Sequence, residues 1–147
     1  WGRNWTYAHN GQLKNVQHEL PVKFHIPVGG TDSEHAFCWI LDQLHCKFAD
    51  NEPAAEVLFQ FIAQLSVKIN ALGVFNVNIT NGEYLFAYCA NNLHWITRRA
   101  PFGRASLIDV EVVVNFIEET TESDVVTVIA TQPLTDDETW QKMTKGQ

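Results

Sequence analysis

Two short stretches carry side chains able to manage charge in a reaction. Tyr7-Ala8-His9-Asn10-Gly11 sets an Asn carboxamide beside a glycine backbone N–H at the end of an apolar, strand-prone run. Such a pair can aim two hydrogen-bond donors at one developing oxyanion. Thr31-Asp32-Ser33-Glu34 puts a carboxylate at the start of a helix. There, unpaired N–H groups and the helix dipole favour the ionised form, which is suited to meeting an ammonium group. Each stretch also has a plainer reading. Asn-Gly is a common hairpin turn, and Asp32 can simply help to cap its helix. His9 reads as a packing and hydrogen-bonding residue rather than a base.

Metal chemistry has less to stand on. His35, Asp42 and Cys46 fall on the face of that helix opposite its apolar stripe, with Cys38 and His45 nearer the flank. These are zinc-ligand types, but a cluster on one helix cannot by itself close a tetrahedral site. They read as a solvated polar face, and neither a metal nor a cofactor is expected.

The elements that must position these residues follow from periodicity and punctuation. Asn4 to His9 reads as a strand ending in a turn at Asn10-Gly11. Gln12 to Pro27 has no sustained period and reads as a loop closed by Gly29-Gly30. Thr31 and Glu34 fit a capping box, with Thr31 as N-cap and Glu34 reaching back to it. Phe37, Ile40, Leu41, Leu44 and Phe48 then repeat at helical spacing. Pro53, at a first-turn position, opens a second helix through Leu72. Val57, Leu58, Phe61, Ile62, Leu65 and Ile69 form its apolar face, and Gly73 ends it. Phe75, Val77 and Ile79 alternate with Asn76, Asn78 and Thr80, and Asn81-Gly82 turns this strand into a second one from Tyr84 to Cys89. Further strands are expected at Leu93 to Arg98, Leu107 to Phe116 (Val110, Val112 and Val114 alternating with Glu111 and Val113) and Val125 to Thr131. A short helical turn is expected from Asp136 to Trp140, then a polar tail from Gln141. No repeat or linker divides residues 1–147, so one domain of α+β class is expected, its two helices covering one face of a largely antiparallel sheet.

Composition narrows the function classes. The chain has 147 residues, 46% hydrophobic and 18% charged, enough for a real core. Its net charge of -7 and pI near 5.2 argue against binding a phosphate backbone, so no nucleic-acid partner is expected. No apolar run is long enough to span a bilayer, and no membrane partner is expected. Cys38, Cys46 and Cys89 are odd in number and lack framework spacing, as suits reduced thiols in a cytoplasmic protein.

The two motifs, in this order, resemble the class II glutamine amidotransferases, which are N-terminal-nucleophile (Ntn) hydrolases. Asn92-Leu93-His94-Trp95-Ile96-Thr97-Arg98-Arg99-Ala100-Pro101-Phe102-Gly103 and the run from Asp124 to Thr135, with Trp140 beyond it, resemble the small stand-alone bacterial members, the YafJ-like group. The resemblance covers essentially the whole chain. It implies the later portion of an αββα sandwich and the hydrolysis of glutamine, or of a γ-glutamyl amide, to glutamate and ammonia. It assigns Asn10 and Gly11 to the oxyanion hole and Asp32 to the substrate's α-amino group. The family's nucleophile is an N-terminal cysteine whose own α-amino group serves as base, attacking to give a glutamyl thioester.

Residue 1 is Trp, and the family's upstream arginine and Asn-Thr-His-Pro-Phe segment do not occur. Cys38, Cys46 and Cys89 fall within elements and have no free α-amino group. The expectation is therefore a partial domain with no nucleophile of its own, inactive alone and a partner to the missing portion of its own domain. Oligomers are compatible with this reading. Two alternatives remain: a non-catalytic binding module of the same fold, and a γ-glutamyl peptide hydrolase that passes ammonia to no acceptor.

Overall fold

In the computed structural model, residues 1–108 and 113–147 are described. They form two compact units, one of residues 1–91 with 146–147 and the other of residues 92–145. Helices and antiparallel strands together make an α+β fold.

The first unit holds β1 (Thr6–Asn10), α1 (Val16–Glu19), α2 (Asp32–Phe48), α3 (Ala55–Asn70), β2 (Asn76–Thr80) and β3 (Leu85–Tyr88). Its sheet runs β1-β2-β3, antiparallel throughout. Ala8 lies opposite Asn78 and Asn10 opposite Asn76, while Ile79 lies opposite Phe86. Period-two alternation locks this register, because a slip of one residue would turn Val77 and Ile79 out of the core. Phe75, Val77 and Ile79 are indeed buried with Leu58, Ile62 and Ile69 of α3 and Trp39 and Ile40 of α2. The Asn81-Gly82 turn joins β2 to β3, where the Asn81 side chain accepts from the N–H groups of Glu83 and Tyr84. Asn10-Gly11 does not make a hairpin. The strand it ends pairs with β2, which comes only after both long helices.

Three local expectations change. The stretch read as a loop contains α1, anchored by the buried Val16 and Leu20. Thr31 Oγ1 does cap α2 by accepting from Glu34 N at 3.2 Å, but the Glu34 carboxylate accepts instead from Val28 N and Gly29 N, both at 2.8 Å. The buried stripe of α2 is rotated from the expected one. His35, Ala36, Trp39, Ile40, Asp42 and Leu44 are buried, whereas Phe37 and Leu41 are only half-buried. His35 and Asp42 therefore do not lie on a solvated face. His35 Nε2 reaches the Leu20 carbonyl at 2.8 Å, and Asp42 is surrounded by loop N–H groups. α3 starts two residues after Pro53 and buries Leu58, Ile62, Leu65 and Ile69 as expected, while Val57 is exposed.

The second unit holds β4 (His94–Arg99), β5 (Arg104–Ser106), β6 (Val113–Asn115), α4 (Phe116–Glu119), β7 (Val125–Ala130) and β8 (Gln141–Lys142). β4 lies between β7 and β8, and β5 pairs with β6, all antiparallel. The strand expected from Leu107 to Phe116 is shorter. Leu107 makes a single bridge to Thr135, and Phe116 begins α4. Val110, Glu111 and Val112 lie outside the described residues. No helical turn forms from Asp136 to Trp140. Their polar groups are used tertiarily: Asp137 accepts from Ser106 N, Glu138 pairs bidentately with Arg98, and Trp140 Nε1 donates to Thr135 Oγ1 at 2.8 Å. The residues after Trp140 then form β8. Among the described residues no helix is long and apolar enough to cross a membrane.

Candidate active site

Asn10 is the last residue of β1, and its neighbour Gly11 leaves the strand with φ +155°. Alternation along β1 turns Tyr7 and His9 toward α2 and leaves Ala8 and Asn10 exposed. Tyr7 stacks on Phe37 of α2, with ring centroids 4.9 Å apart. Burial, with the Asp32 charge nearby, raises the Tyr7 phenol well above its ordinary range, so it stays neutral.

Gly11 is required by space. A Cβ there would stand 1.9 Å from the Val74 carbonyl oxygen, and one on Gly73 would stand 2.1 Å from the Gln12 carbonyl oxygen. These two glycines let the turn after β1 lie directly on the segment before β2. Val74 N donates to Gln12 O at 3.1 Å and Lys14 N to Leu72 O at 3.0 Å, stitching the two segments together.

The start of α2 meets this turn. Asp32 Oδ2 accepts from Leu13 N at 2.6 Å, only two residues beyond Gly11, and Asp32 Oδ1 accepts from Ser33 N at 2.8 Å. His9 ties the same parts together through both ring nitrogens. Nδ1 lies 2.8 Å from Ser33 Oγ, and Nε2 lies 2.9 Å from the Val74 carbonyl. A carbonyl can only accept, so Nε2 carries the proton, and in the neutral ring Nδ1 accepts from the Ser33 hydroxyl. The structure thus gathers the two sequence motifs into one cluster at the carboxyl end of β1 and the amino end of α2.

The Asn10 carboxamide and the Gly11 N–H make no hydrogen bond to the described residues, so both donors are available. Chemically, two such donors can stabilise an oxyanion, and a half-buried carboxylate can accept from an ammonium, here most openly at Oδ2, since Oδ1 holds Ser33 N and lies 3.5 Å from Ser33 Oγ.

Asn76, which sequence reading placed only on the polar face of β2, also reaches this cluster. It is buried, and its Nδ2 donates to the Asn10 carbonyl at 3.2 Å and to Asn91 Oδ1 at 2.8 Å. Its pairing opposite Asn10 depends on a register between strands separated by both long helices, which local pattern does not encode.

Other reactive groups lie apart from this cluster. Cys38 is half-buried on α2, where burial and then the Glu34 and Asp42 carboxylates raise its thiol and disfavour the thiolate. Cys46 is exposed and Cys89 is buried. A cleft of about 360 Å³ in the first unit is lined by Trp1, Arg3, Trp5, His25, Phe37 and His45 among others, but not by Asn10, Gly11 or Asp32. Among the described residues no group of three or more His, Cys, Asp or Glu side chains could hold a metal ion.

Comparison with known proteins gives a consistent result. The sequence profile of the family described as Glutamine amidotransferases class-II matches residues 1–147. The chain is 52% identical to YafJ of Escherichia coli K12 over 147 residues, covering 100% of this chain and 57% of that protein. It is 40% identical over 146 residues to a Haemophilus influenzae protein, covering 99% of this chain and 49% of the other. A crystal structure of a predicted glutamine amidotransferase from Pseudomonas aeruginosa superposes with a TM-score of 0.86 at 47% identity, covering 99% of this chain and 56% of that one. The chain therefore spans about half the length of the relatives it matches.

Proposed function

The chain belongs to the class II glutamine amidotransferase family, and from that premise we propose that it carries the oxyanion-stabilising and substrate-holding part of a glutamine-hydrolysing site. Asn10 Nδ2 and the Gly11 N–H are the two donors to the tetrahedral oxyanion, and Asp32 receives the substrate's α-ammonium group. The nucleophile is an N-terminal cysteine supplied from outside these residues. Its thiolate attacks the side-chain amide carbon of glutamine, and the oxyanion collapses with expulsion of ammonia. Water then releases glutamate from the thioester. Alone, residues 1–147 are inactive, because each of their own cysteines is buried, half-buried with a raised thiol, or exposed on α2 away from the cluster.

One observation carries this reading: Asp32 accepts from Leu13 N at 2.6 Å, which brings the carboxylate to the turn that presents Asn10 and Gly11. Electrostatic catalysis requires donors set before charge develops, and the turn held against residues 72–74 supports the Gly11 N–H in that role. The test is release of ammonia and glutamate from glutamine by the protein in which a mature N-terminal cysteine precedes this sequence. Hydrolysis is expected there, and Asn10→Ala should lower kcat by about a hundredfold or more. Normal turnover in that variant would overturn the assignment.

A further inference from the structure

We propose that Asn76 is a positioning residue for the second oxyanion donor: by holding the Asn10 carbonyl it sets the direction in which the Gly11 N–H points. The inference rests on the assignment of Asn10 and Gly11 made above and adds to it a residue from a distant part of the chain.

The physical link is the peptide plane. In a trans peptide the C=O of one residue and the N–H of the next lie in one plane and point in opposite directions. Asn76 Nδ2 donates to the Asn10 carbonyl oxygen at 3.2 Å. Holding that oxygen against β2 turns the Gly11 N–H away from β2, where it meets none of the described residues. The donor is thus left free by the same hydrogen bond that aims it.

Asn76 itself has one orientation available. Its Oδ1 accepts from Ala90 N at 3.0 Å and Asn91 N at 3.2 Å, and the other Nδ2 proton goes to Asn91 Oδ1 at 2.8 Å. Two donors and two acceptor sites are therefore all used. Flipping the amide would set its NH2 against two N–H groups and its oxygen against two oxygens. Because the residue is buried, with 4% exposure, water cannot substitute for any of the four partners. On the other side of the peptide, residues 12–14 are held to residues 72–74 by backbone hydrogen bonds. The Asn10–Gly11 peptide is clamped between these two anchors, and Asn76 supplies the one that decides its rotation.

Asn76→Asp keeps size and both acceptor contacts but sets an oxygen against the Asn10 carbonyl. In the cysteine-bearing protein with glutamine as substrate, kcat should fall about tenfold to a hundredfold, with KM within threefold of wild type. Combining it with Asn10→Ala should lower kcat well below that of Asn10→Ala alone, because one change removes the first oxyanion donor and the other misdirects the second. Asn91→Ala leaves Asn76 in place and removes one of its acceptors, so it tests the same link if Asn76→Asp does not fold. It should lower kcat about threefold, again without a matching change in KM. Wild-type kcat in a folded Asn76→Asp or Asn91→Ala protein would overturn the proposal, and so would an equal loss in kcat and affinity. Wild-type turnover in Asn10→Ala would remove the site assignment, and this inference with it.

Discussion

Asp32 offers its carboxylate from a position already held in place by the protein. One oxygen accepts from Leu13 N and the other from Ser33 N, while Ser33 Oγ is engaged by His9. A substrate ammonium would meet a preorganised anion rather than a mobile side chain. Asp32→Asn keeps the shape and removes the charge. It should therefore raise KM for glutamine at least about tenfold while changing kcat less, since the α-ammonium is bound equally in ground and transition states. Steady-state kinetics in the cysteine-bearing protein check this, and an unchanged KM would exclude Asp32 from substrate binding. At this scale, Asn10, Gly11 and Asp32 were nameable from sequence because their types and order are themselves the signal. Asn76 was not. An asparagine alternating with Phe75 and Val77 looks like any outward residue of a half-buried strand, and only the pairing with β1 shows what its amide holds.

At the scale of elements, two devices fix local geometry in the first unit. The first is the pair of glycines where the turn after β1 crosses the segment before β2. Gly11→Ala must displace the Val74 carbonyl, so it should destabilise the protein by about 2 kcal/mol or more and lower activity as well. Thermal melting together with a kinetic assay measures both effects. The second is Asp42 of α2, whose side chain is 2% exposed. Burial pushes its carboxyl up, but the N–H of Lys23, the His25 ring and the N–H groups of Phe24 and His25 outweigh that and hold it below the ordinary carboxylate value. Asp42→Ala would strand those loop N–H groups and should cost on the order of 3 kcal/mol, read as a lowered denaturation midpoint. The capping pattern located the start of α2 at Asp32, yet helix periodicity assigned Asp42 to solvent. Charge is a poor guide to exposure where a neighbouring loop supplies the hydrogen bonds, and the loop from Pro21 to Pro27 carried no local pattern to announce that role.

For the whole molecule, acid sensitivity follows from the same groups. Asp42 in the first unit is held below its unfolded value, and in the second unit Arg98, aided by Thr135, holds Glu138 below its own against the opposing effect of burial. A depressed carboxylate contributes stability that is full above its unfolded pKa and is lost as the pH falls through the folded one. Stability should thus be nearly flat from neutral pH down to about pH 5 and decline below about pH 4. Asp42→Asn should make that decline shallower while lowering stability at pH 7. Chemical denaturation across this range checks the sign, and a stability that rises on acidification would contradict it. The α+β class and most strands and helices were legible because their hydrophobic periods are unambiguous. The division into two compact units was not, since no linker or change of composition marks residue 91. Likewise β8 was hidden in a polar tail, because its two residues pair with β4 without burying a side chain.

In the proposed reaction Asn10 and Gly11 stabilise an oxyanion formed from a glutamine side chain. An aldehyde analogue, in which the substrate's side-chain amide is replaced by CHO, adds to the cysteine thiol and gives a tetrahedral adduct bearing the same oxygen. Its inhibition constant in the cysteine-bearing protein should weaken by about a hundredfold or more in Asn10→Ala, with KM for glutamine nearly unchanged. Equal inhibition of the wild-type and variant proteins would contradict the account.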